Sequence, residues 1–316
     1  MKTREISVAI AIAVLALVLA VFAPSYFAPD NLRDVFVATV PVLIIAIGMT
    51  LVILTGHIDI SVGSMFAVCA VSAGLLAKEG LPVTLVVVAA VVVGGLFGAI
   101  NGSLVAYARI PSIVVTLASL VAWRDGLRWL TQGTWVDALP PTFQWLGTGQ
   151  QVYPFVLATV VVVLCVVTAW TLEQLAAGRA VYATGSNREA ARLAGLDPER
   201  LTCLAFIVLG ALTGLAAVLN AARFNQIPAN TGLGLEMKVI AAVLVGGTAI
   251  TGGRGTVLGT TLGVALLGAI GPALTFLGVS AYWERAIQGA IILVAVAADA
   301  FPRRAQMYAA LRHARA

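Results

Sequence analysis

Ten residues between two apolar runs combine a carboxylate, an imidazole and hydroxyl groups, in the sequence Thr-Gly-His-Ile-Asp-Ile-Ser-Val-Gly-Ser at 55–64. Ionisable side chains at membrane depth are costly and therefore usually functional. Asp59 followed by Ser61 is typical of a helix start, where a carboxylate accepts hydrogen bonds from free backbone N–H groups. Two interpretations stay open. Either a capped helix begins at the membrane surface, or a broken helix faces a path through the membrane that is lined by His57, Asp59, Ser61 and Asn101.

A second polar segment, Val-Gly-Gly-Thr-Ala-Ile-Thr-Gly-Gly-Arg-Gly at 245–255, predicts a tight turn rather than a nucleotide site. A phosphate-binding loop needs the spacing GxxxxGK[ST], which does not occur in this chain. We expect the arginine to lie at lipid headgroups or to pair with a carboxylate. The turn is predicted on the cytoplasmic side, and its residues are Gly252, Gly253, Arg254 and Gly255.

The remaining charged groups give no catalytic pattern. Glu236 with Lys238 and Glu284 with Arg285 lie near predicted helix ends on the outer side, which favours ion pairs or interface anchors over ligands. We find no metal-ligand spacing, nucleophile motif or paired catalytic carboxylates in the sequence. We therefore expect no enzyme activity and no metal or cofactor bound by this chain. Energy for any pumping must come from an ion gradient or from a separate ATPase.

The most highly charged stretch runs from Gly178 to Leu201, ends in SNREAARLAGLDPERL and contains four arginines. The whole chain is only 10% charged, so a segment of this kind indicates a contact surface for a soluble partner. Ser186 or Asn187 can cap a short helix here, with Glu189 in its first turn. Gly195 is a typical helix stop.

The composition of the 316-residue chain identifies the bilayer as its solvent. The chain is 60% hydrophobic, whereas soluble domains are about 45–50% apolar and about 25% charged. Long Leu, Val, Ala and Ile runs without alternation predict helices rather than a barrel. The net charge of +5 does not indicate nucleic acid, because Lys and Arg in a membrane protein report orientation. The predicted fold class is an all-α integral membrane protein.

About ten transmembrane helices are predicted within one domain, 1–316. The apolar runs are 6–23, 35–55, 62–77, 82–108, 111–123, 152–172, 202–222, 236–250, 257–278 and 284–301. The runs 111–123 and 236–250 are short, which is typical of broken helices that line a cavity. A weak echo between 95–102 and 263–271 suggests two inverted five-helix halves.

Basic residues at both ends of the chain place both termini in the cytoplasm, which requires an even number of spans. The loop 173–201 and the tail 302–316 then lie in the cytoplasm, and the segment 124–150 lies outside. That outer segment contains Trp129, Trp135 and Trp145. They form either an aromatic belt at the lipid interface or a docking surface for an external partner.

Three collinear segments resemble landmarks of a known family. Glu189, Ala190, Ala191 and Gly195 reproduce the EAA…G pattern of ABC importer permeases. Together with GHIDISVGS at 56–64 and GGTAITGGRGTVLG at 246–259, the stretch ATGSNREAARLAG at 183–195 resembles the monosaccharide-importer permeases that serve ribose, xylose, arabinose and rhamnose. The stretch 101–140 looks most like the rhamnose-type branch, where autoinducer-2 importers are neighbours. Many relatives have glycine where this chain has His57, so that residue tunes substrate choice or fills space.

The resemblance implies a division of labour in the bacterial cytoplasmic membrane. A periplasmic or lipid-anchored sugar-binding protein would deliver rhamnose, or a similar deoxyhexose or pentose, to two permease subunits, identical or homologous. A cytoplasmic ATP-binding subunit would hold the short helix containing Asn187, Glu189, Ala190, Ala191 and Gly195. Alternatives are a permease for autoinducer 2, nucleosides or branched-chain amino acids. An ion-coupled transporter that uses Asp59 and Glu236 is a further alternative.

Overall fold

A computed structural model of the chain describes residues 3–280, 282–290 and 293. The fold is all-helical, with a single antiparallel bridge, Val136 to Ile227, in the described part. Short 3-10 helices form at Pro24–Phe27 and Gln144–Gly147, and residues 283–290 are helical. The α-helices are α1 (Thr3–Phe22), α2 (Pro29–Leu54), α3 (Val62–Lys78), α4 (Val83–Ala106), α5 (Ser112–Thr131), α6 (Tyr153–Gln174), α7 (Ala176–Ser186), α8 (Arg188–Leu193), α9 (Pro198–Ala221), α10 (Leu235–Val245) and α11 (Val257–Phe276).

The prediction of a helical membrane protein is confirmed. Within the described residues, α1, α2, α4, α6, α9 and α11 are long and apolar enough to cross a bilayer. Nine of the ten predicted apolar runs coincide with a helix, and the described part of the tenth is also helical. Most of the run 284–301 and the whole tail 302–316 lie outside the described residues, so the count of ten spans stays a prediction.

Two boundaries differ from the prediction. The run 111–123 is the first part of a 20-residue helix, α5, which continues to Thr131. The apolar signal ends early because the last turns of α5 contain Arg124, Asp125 and Arg128, and Arg124 is buried and hydrogen-bonded. The loop 173–201 contains the end of α6, the two helices α7 and α8 and the start of α9.

The centre of the molecule is built on α2 and α9. In α2, 83% of the apolar 18-residue segment that could span a membrane is buried, whereas the value is 17% for the corresponding segments of α1 and α6. Helix α9 lies directly against α4 because small residues face each other, and a methyl group on Gly94 or Gly210 would overlap the opposite backbone. Small residues permit this close approach where the hydrophobic effect cannot drive helix pairing. The two central helices therefore form a rigid base for the segments that follow them.

Each central helix is followed by a non-helical segment and then a short helix. We call these two short helices, α3 and α10, the broken helices. After α2, residues 55–61 are non-helical and α3 then begins at Val62; after α9, residues 222–234 are largely non-helical and α10 then begins at Leu235. With 1.5 Å per residue, α10 reaches about 16 Å and α3 about 25 Å, less than the roughly 30 Å of a hydrocarbon core. The shortness of the 236–250 run is thus confirmed.

The two broken helices begin at one place and run in opposite directions. A methyl group on Gly63, at the start of α3, would lie 2.6 Å from the carbonyl oxygen of Gly232, just before α10. From there α3 runs towards Ile227. A methyl group added to Gly74 of α3 would lie 2.6 Å from Ile227 Cδ1. Helix α10 instead runs to Gly246, which abuts Gly259 of α11. This opposite course is the arrangement that two inverted halves produce.

The glycines shared by the two similar segments, 95–102 and 263–271, lie at comparable helix crossings. Gly98 lies where α4 crosses α9, and Gly268 lies where α11 crosses α2 against Thr39. Since α2 and α9 each precede a broken helix, the two crossings correspond to each other. The echo between 95–102 and 263–271 therefore reflects helix packing.

Candidate functional site

Asp59 closes a hydrogen-bond network at the start of α3. Its Oδ1 accepts from the backbone N–H of Ser61 at 2.8 Å and from the Ser61 hydroxyl at 2.6 Å. Its Oδ2 accepts from Asn101 Nδ2 at 3.2 Å, and that amide also donates to Ser61 Oγ at 2.9 Å. Ser119 Oγ of α5 donates to Asn101 Oδ1 at 2.6 Å. Asp59, Ser61 and Asn101 are each fully buried, so the network joins α3, α4 and α5 as one unit.

The start of α10 lies on the other side of Gly63, and there one buried polar atom lacks a hydrogen-bond partner among the described residues. The Glu236 carboxylate lies against Gly63, where a methyl group would overlap its Oε2. That oxygen is buried and has no hydrogen-bond partner in the described part of the chain. Arg124 Nη1 of α5 donates to the Thr231 carbonyl at 2.7 Å and fixes the segment before α10. A buried acceptor without a donor is rare and indicates a place for a missing partner.

A cavity of about 570 Å³ opens beside Glu236. It lies between the start of α10 and the helical residues 283–290, and Met237, Glu284, Arg285 and Gln288 contribute to its wall. Lys238 Nζ and Gln288 Nε2 both donate to Glu284 Oε1, at 3.1 and 2.9 Å. Lys238 therefore pairs with Glu284, and the four charged residues of the two predicted pairs lie close to one another at this end of α10.

Three sequence segments meet between the linker that leads into α3 and the turn that follows α10, at a site that we call the junction: Leu54–Gly56, Gly185–Ser186 and Gly252–Gly253. The Leu54 carbonyl accepts from Gly253 N at 3.0 Å. A methyl group on Gly185 would overlap that carbonyl and lie 2.6 Å from Gly253 N. Gly252, with φ +85°, approaches Gly56 and Gly185 so closely that no side chain fits. The end of α7 thus lies directly against both linkers.

The other turn residues support the junction. The Arg254 carbonyl accepts from Ala249 N at 2.8 Å, and the Arg254 side chain is exposed. The Gly255 carbonyl accepts from Tyr182 Oη of α7 at 2.8 Å. Glu5 at the start of α1 is buried and accepts from Thr256 Oγ1 at 2.6 Å. The starts of α1 and α11 therefore lie on the same face as α7 and α8, which we call the α7–α8 face.

The local structure of α8 confirms the predicted cap and stop. Asn187, rather than Ser186, caps the helix, with its Oδ1 accepting from Ala190 N at 2.9 Å. Gly195 adopts φ +80°, a left-handed conformation suited to glycine. Ala191 is buried, whereas Glu189, Ala190 and Leu193 are exposed, Leu193 at 83%. An apolar side chain so exposed beside charged ones is a feature of protein contact surfaces.

His57 has a different hydrogen-bond partner from Asp59, Ser61 and Asn101, with which the sequence groups it. Its Nε2 accepts from Arg188 Nη1 of α8 at 3.2 Å, whereas Asp59, Ser61 and Asn101 lie together at the start of α3. Burial and the neighbouring Arg188 charge lower the pKa of His57 to about 4, so the ring is neutral at physiological pH. A shared role of these four residues in a path through the membrane stays a prediction.

Ser119, Arg124 and the Glu236–Gly63 contact were not identified from the sequence. Arg124 carries a readable signal, since an arginine that follows an apolar run with helical spacing can extend that helix. Ser119 carries none, because serines are common in membrane helices.

The chain is similar to known transport proteins over most of its length. A model of the family described as "Branched-chain amino acid transport system / permease component" matches residues 31–296. The chain is 36% identical over 305 residues to the autoinducer 2 import system permease protein LsrC of Enterobacter sp. (strain 638), covering 96% of this chain and 89% of the relative. No solved structure gave a significant match.

Two further relatives carry the same name. LsrC of Escherichia coli (strain K12 / DH10B) is 35% identical over 298 residues, covering 94% of this chain and 87% of the relative. LsrC of Yersinia pestis (strain Pestoides F) is 36% identical over 292 residues, covering 92% and 83%. These names favour the autoinducer-2 alternative over the rhamnose assignment.

Proposed function

Since this chain belongs to the family of ABC importer permease components, we propose that it forms part of the membrane path of an importer for autoinducer 2. It is a multi-pass inner-membrane subunit, and ATP hydrolysis occurs on a separate subunit. A substrate-binding protein is the second partner that the family implies. The α7–α8 face is the cytoplasmic face in this proposal, and a second permease subunit completes the path.

One observation carries the mechanism: the end of α7 touches the linkers of both broken helices at the junction. Residues 55–61 lead from the junction into α3, and residues 246–253 follow α10 into it. A displacement of α7 and α8 by the ATP-binding subunit therefore acts on both broken helices at once. Rigid helices and close glycine contacts transmit such a displacement because packed interfaces do not deform continuously.

The substrate site lies where the two broken helices begin. Glu236, Glu284, Arg285 and Gln288 in the cavity wall provide donors and acceptors for a hydroxylated molecule, and one buried Glu236 oxygen has no hydrogen-bond partner among the described residues. The 570 Å³ cavity falls within the roughly 300–1,000 Å³ typical of small-molecule sites. A monosaccharide suits the same groups, so it remains the second candidate substrate.

The proposal is tested by uptake into proteoliposomes that contain the complex purified with its ATP-binding subunit. Labelled autoinducer 2, rhamnose, ribose and leucine are compared, each with its binding protein. We expect ATP-dependent uptake of autoinducer 2 in preference to the others. Uptake that survives ATP depletion and collapses with an ionophore would contradict the importer assignment, and preference for rhamnose would contradict only the substrate.

The role of α8 is tested with two variants. Glu189→Lys reverses an exposed charge, and Gly195→Trp places a bulky side chain at a left-handed position. Both are expected to insert normally and to lose ATP-driven uptake, whereas Arg200→Gln, at an exposed position on the same face, is the matched control. Normal uptake by both variants would show that α8 does not couple the subunits.

A further inference from the structure

A second cavity, of about 360 Å³, lies on the α7–α8 face between α8, the start of α9 and the turn from α4 to α5. It is separate from the Glu236 cavity, and the two share no lining residue. Its polar lining consists of three arginines, one histidine and one carboxylate: Arg109, Arg188, Arg192, His57 and Glu199.

The positive charge in this cavity is only partly neutralised. The Glu199 carboxylate is shared, since Oε1 accepts from Arg192 Nη2 and lies 3.5 Å from Arg188 Nη2. Glu189 pairs with Arg192 at 3.4 Å from the exposed side. Arg109 is exposed and forms no hydrogen bond or ion pair among the described residues. Even with both carboxylates counted, three guanidinium groups leave one positive charge in excess.

The backbone fixes Arg109 at the cavity. Arg109 adopts φ +57°, a left-handed conformation that few side chains adopt. Ala108 N and Ile110 N, on either side of it, donate to the carbonyls of Ser103 and Leu104 in the last turns of α4. The backbone that carries Arg109 is thus hydrogen-bonded to the end of α4 on both sides of the residue.

The mouth of the cavity lies beside an apolar, exposed surface. Tyr107 is 58% exposed, Ile110 37% and Ile113 51%, at the adjoining ends of α4 and α5. In a membrane protein such side chains face lipid. Basic pockets at the cytoplasmic ends of transmembrane helices bind anionic lipid headgroups, and guanidinium groups match phosphate oxygens with paired N–H donors.

We propose that this cavity binds a phosphate group, carried either by an anionic phospholipid or by a free organic phosphate. Bound phosphate would join Arg109 of the α4–α5 turn to Arg188 and Arg192 of α8. Because α8 is also the proposed contact of the ATP-binding subunit, the ligand would hold α8 against the membrane domain and adjust its movement.

The test uses the complex with its ATP-binding subunit in lipid nanodiscs. In one arm the discs contain phosphatidylcholine with increasing phosphatidylglycerol, and native mass spectrometry counts the retained phosphatidylglycerol. In the other arm the discs are pure phosphatidylcholine, and melting is followed with added glycerol phosphate or inorganic phosphate. Arg109→Gln is compared with Arg200→Gln, an exposed arginine outside the cavity. Arg109→Gly also removes the charge and relieves the left-handed backbone, so it cannot fail through strain.

We expect phosphate binding in at least one arm. The affinity should be at least about tenfold lower in both Arg109 variants, which corresponds to about 1.4 kcal/mol. It should be unchanged in Arg200→Gln. Retention of phosphatidylglycerol alone identifies the lipid as the source, and stabilisation by soluble phosphate alone identifies a free compound. Binding in neither arm, or equal binding by wild type and the Arg109 variants, overturns the proposal. Loss of the ATP-binding subunit from the Arg109 variants without loss of phosphate binding also overturns it.

Discussion

The two broken helices begin side by side, yet the polar groups at their starts are satisfied to different degrees. At the start of α3, both oxygens of Asp59 have donors and the whole network is buried. At the start of α10, one oxygen of Glu236 is buried without a partner among the described residues, and a large cavity lies beside it. The comparison indicates two roles that a carboxylate in a membrane protein can have: we expect Asp59 to hold the structure together and Glu236 to contact a ligand.

The largest effect is expected at Asp59. Asp59→Ala removes the acceptor of three donors that are fully buried, and each unsatisfied group costs about 1–3 kcal/mol. We expect a loss of more than about tenfold in assembled complex, measured by fluorescence-detected size exclusion. Ser103→Ala, on the exposed side of α4, is the control and should assemble normally. Normal assembly of Asp59→Ala would show that the network is not structural.

Glu236→Gln should give the opposite result, with wild-type assembly and reduced transport. The substitution keeps the shape of the side chain but removes the charged acceptor. We expect ATP-driven uptake to fall about tenfold, equivalent to about 1.4 kcal/mol, as measured in proteoliposomes. If uptake stays at the wild-type level while assembly is normal, Glu236 does not contact the substrate.

Gly63→Ala tests whether the starts of α3 and α10 depend on their close approach. The added methyl group would overlap Glu236 and press on the Gly232 carbonyl. We expect uptake to fall roughly fivefold, the change that about 1 kcal/mol produces. Gly126→Ala, which meets nothing within 4 Å in α5, is the matched control. Equal uptake by the two variants would mean that the two helix starts move independently.

A smaller effect is expected in how the stability of the folded protein depends on pH, because only one of the two linkers contains a titrating histidine. The 55–61 linker contains His57, whereas residues 222–234 contain no histidine. Since burial lowers the pKa of His57 from 6.5 to about 4, the unfolded chain binds a proton that the folded chain excludes between these values. Stability is therefore full above about pH 6.5 and declines as the pH falls towards 4.

The measurement is the melting temperature of the complex at pH 7 and pH 5. Wild type should lose a few degrees more than His57→Gln over this interval. Identical slopes for the two proteins would show that His57 titrates normally, and its contact with Arg188 would then not be maintained in solution.

The smallest effect is expected at the outer tryptophans. Residues 222–234 bond to the Trp-containing segment through the bridge between Val136 and Ile227, and Trp129 is 74% exposed and Trp135 53%. If a binding protein docks there, Trp129→Ala and Trp135→Ala should reduce its stimulation of ATP hydrolysis by roughly half, as for contacts at an interface rim. Trp170→Ala, exposed on α6, is the control. Unchanged stimulation favours an aromatic belt.

The sequence predicted the helices and their ends better than it predicted the contacts between helices. Apolar runs located the helices because length and hydropathy are local properties, and Asn187 and Gly195 were identified because capping is also local. The Glu236–Gly63 contact joins residues far apart in the chain, so no local pattern could indicate it. The hydrogen-bond partners of His57 and Asp59 could not be predicted for the same reason, since His57 accepts from Arg188 of α8 and Asp59 accepts from Ser61 and Asn101.

The turn after α10 and the linker into α3 meet the end of α7 at a single place, the junction. In the proposed importer, one displacement of α7 would move the segment that leads into α3 and the turn that follows α10 together. A carrier with independent barriers could open both and leak its ion gradients. Here the shared contact of Leu54, Gly185 and Gly253 would couple the two broken helices, so that neither would move without the other.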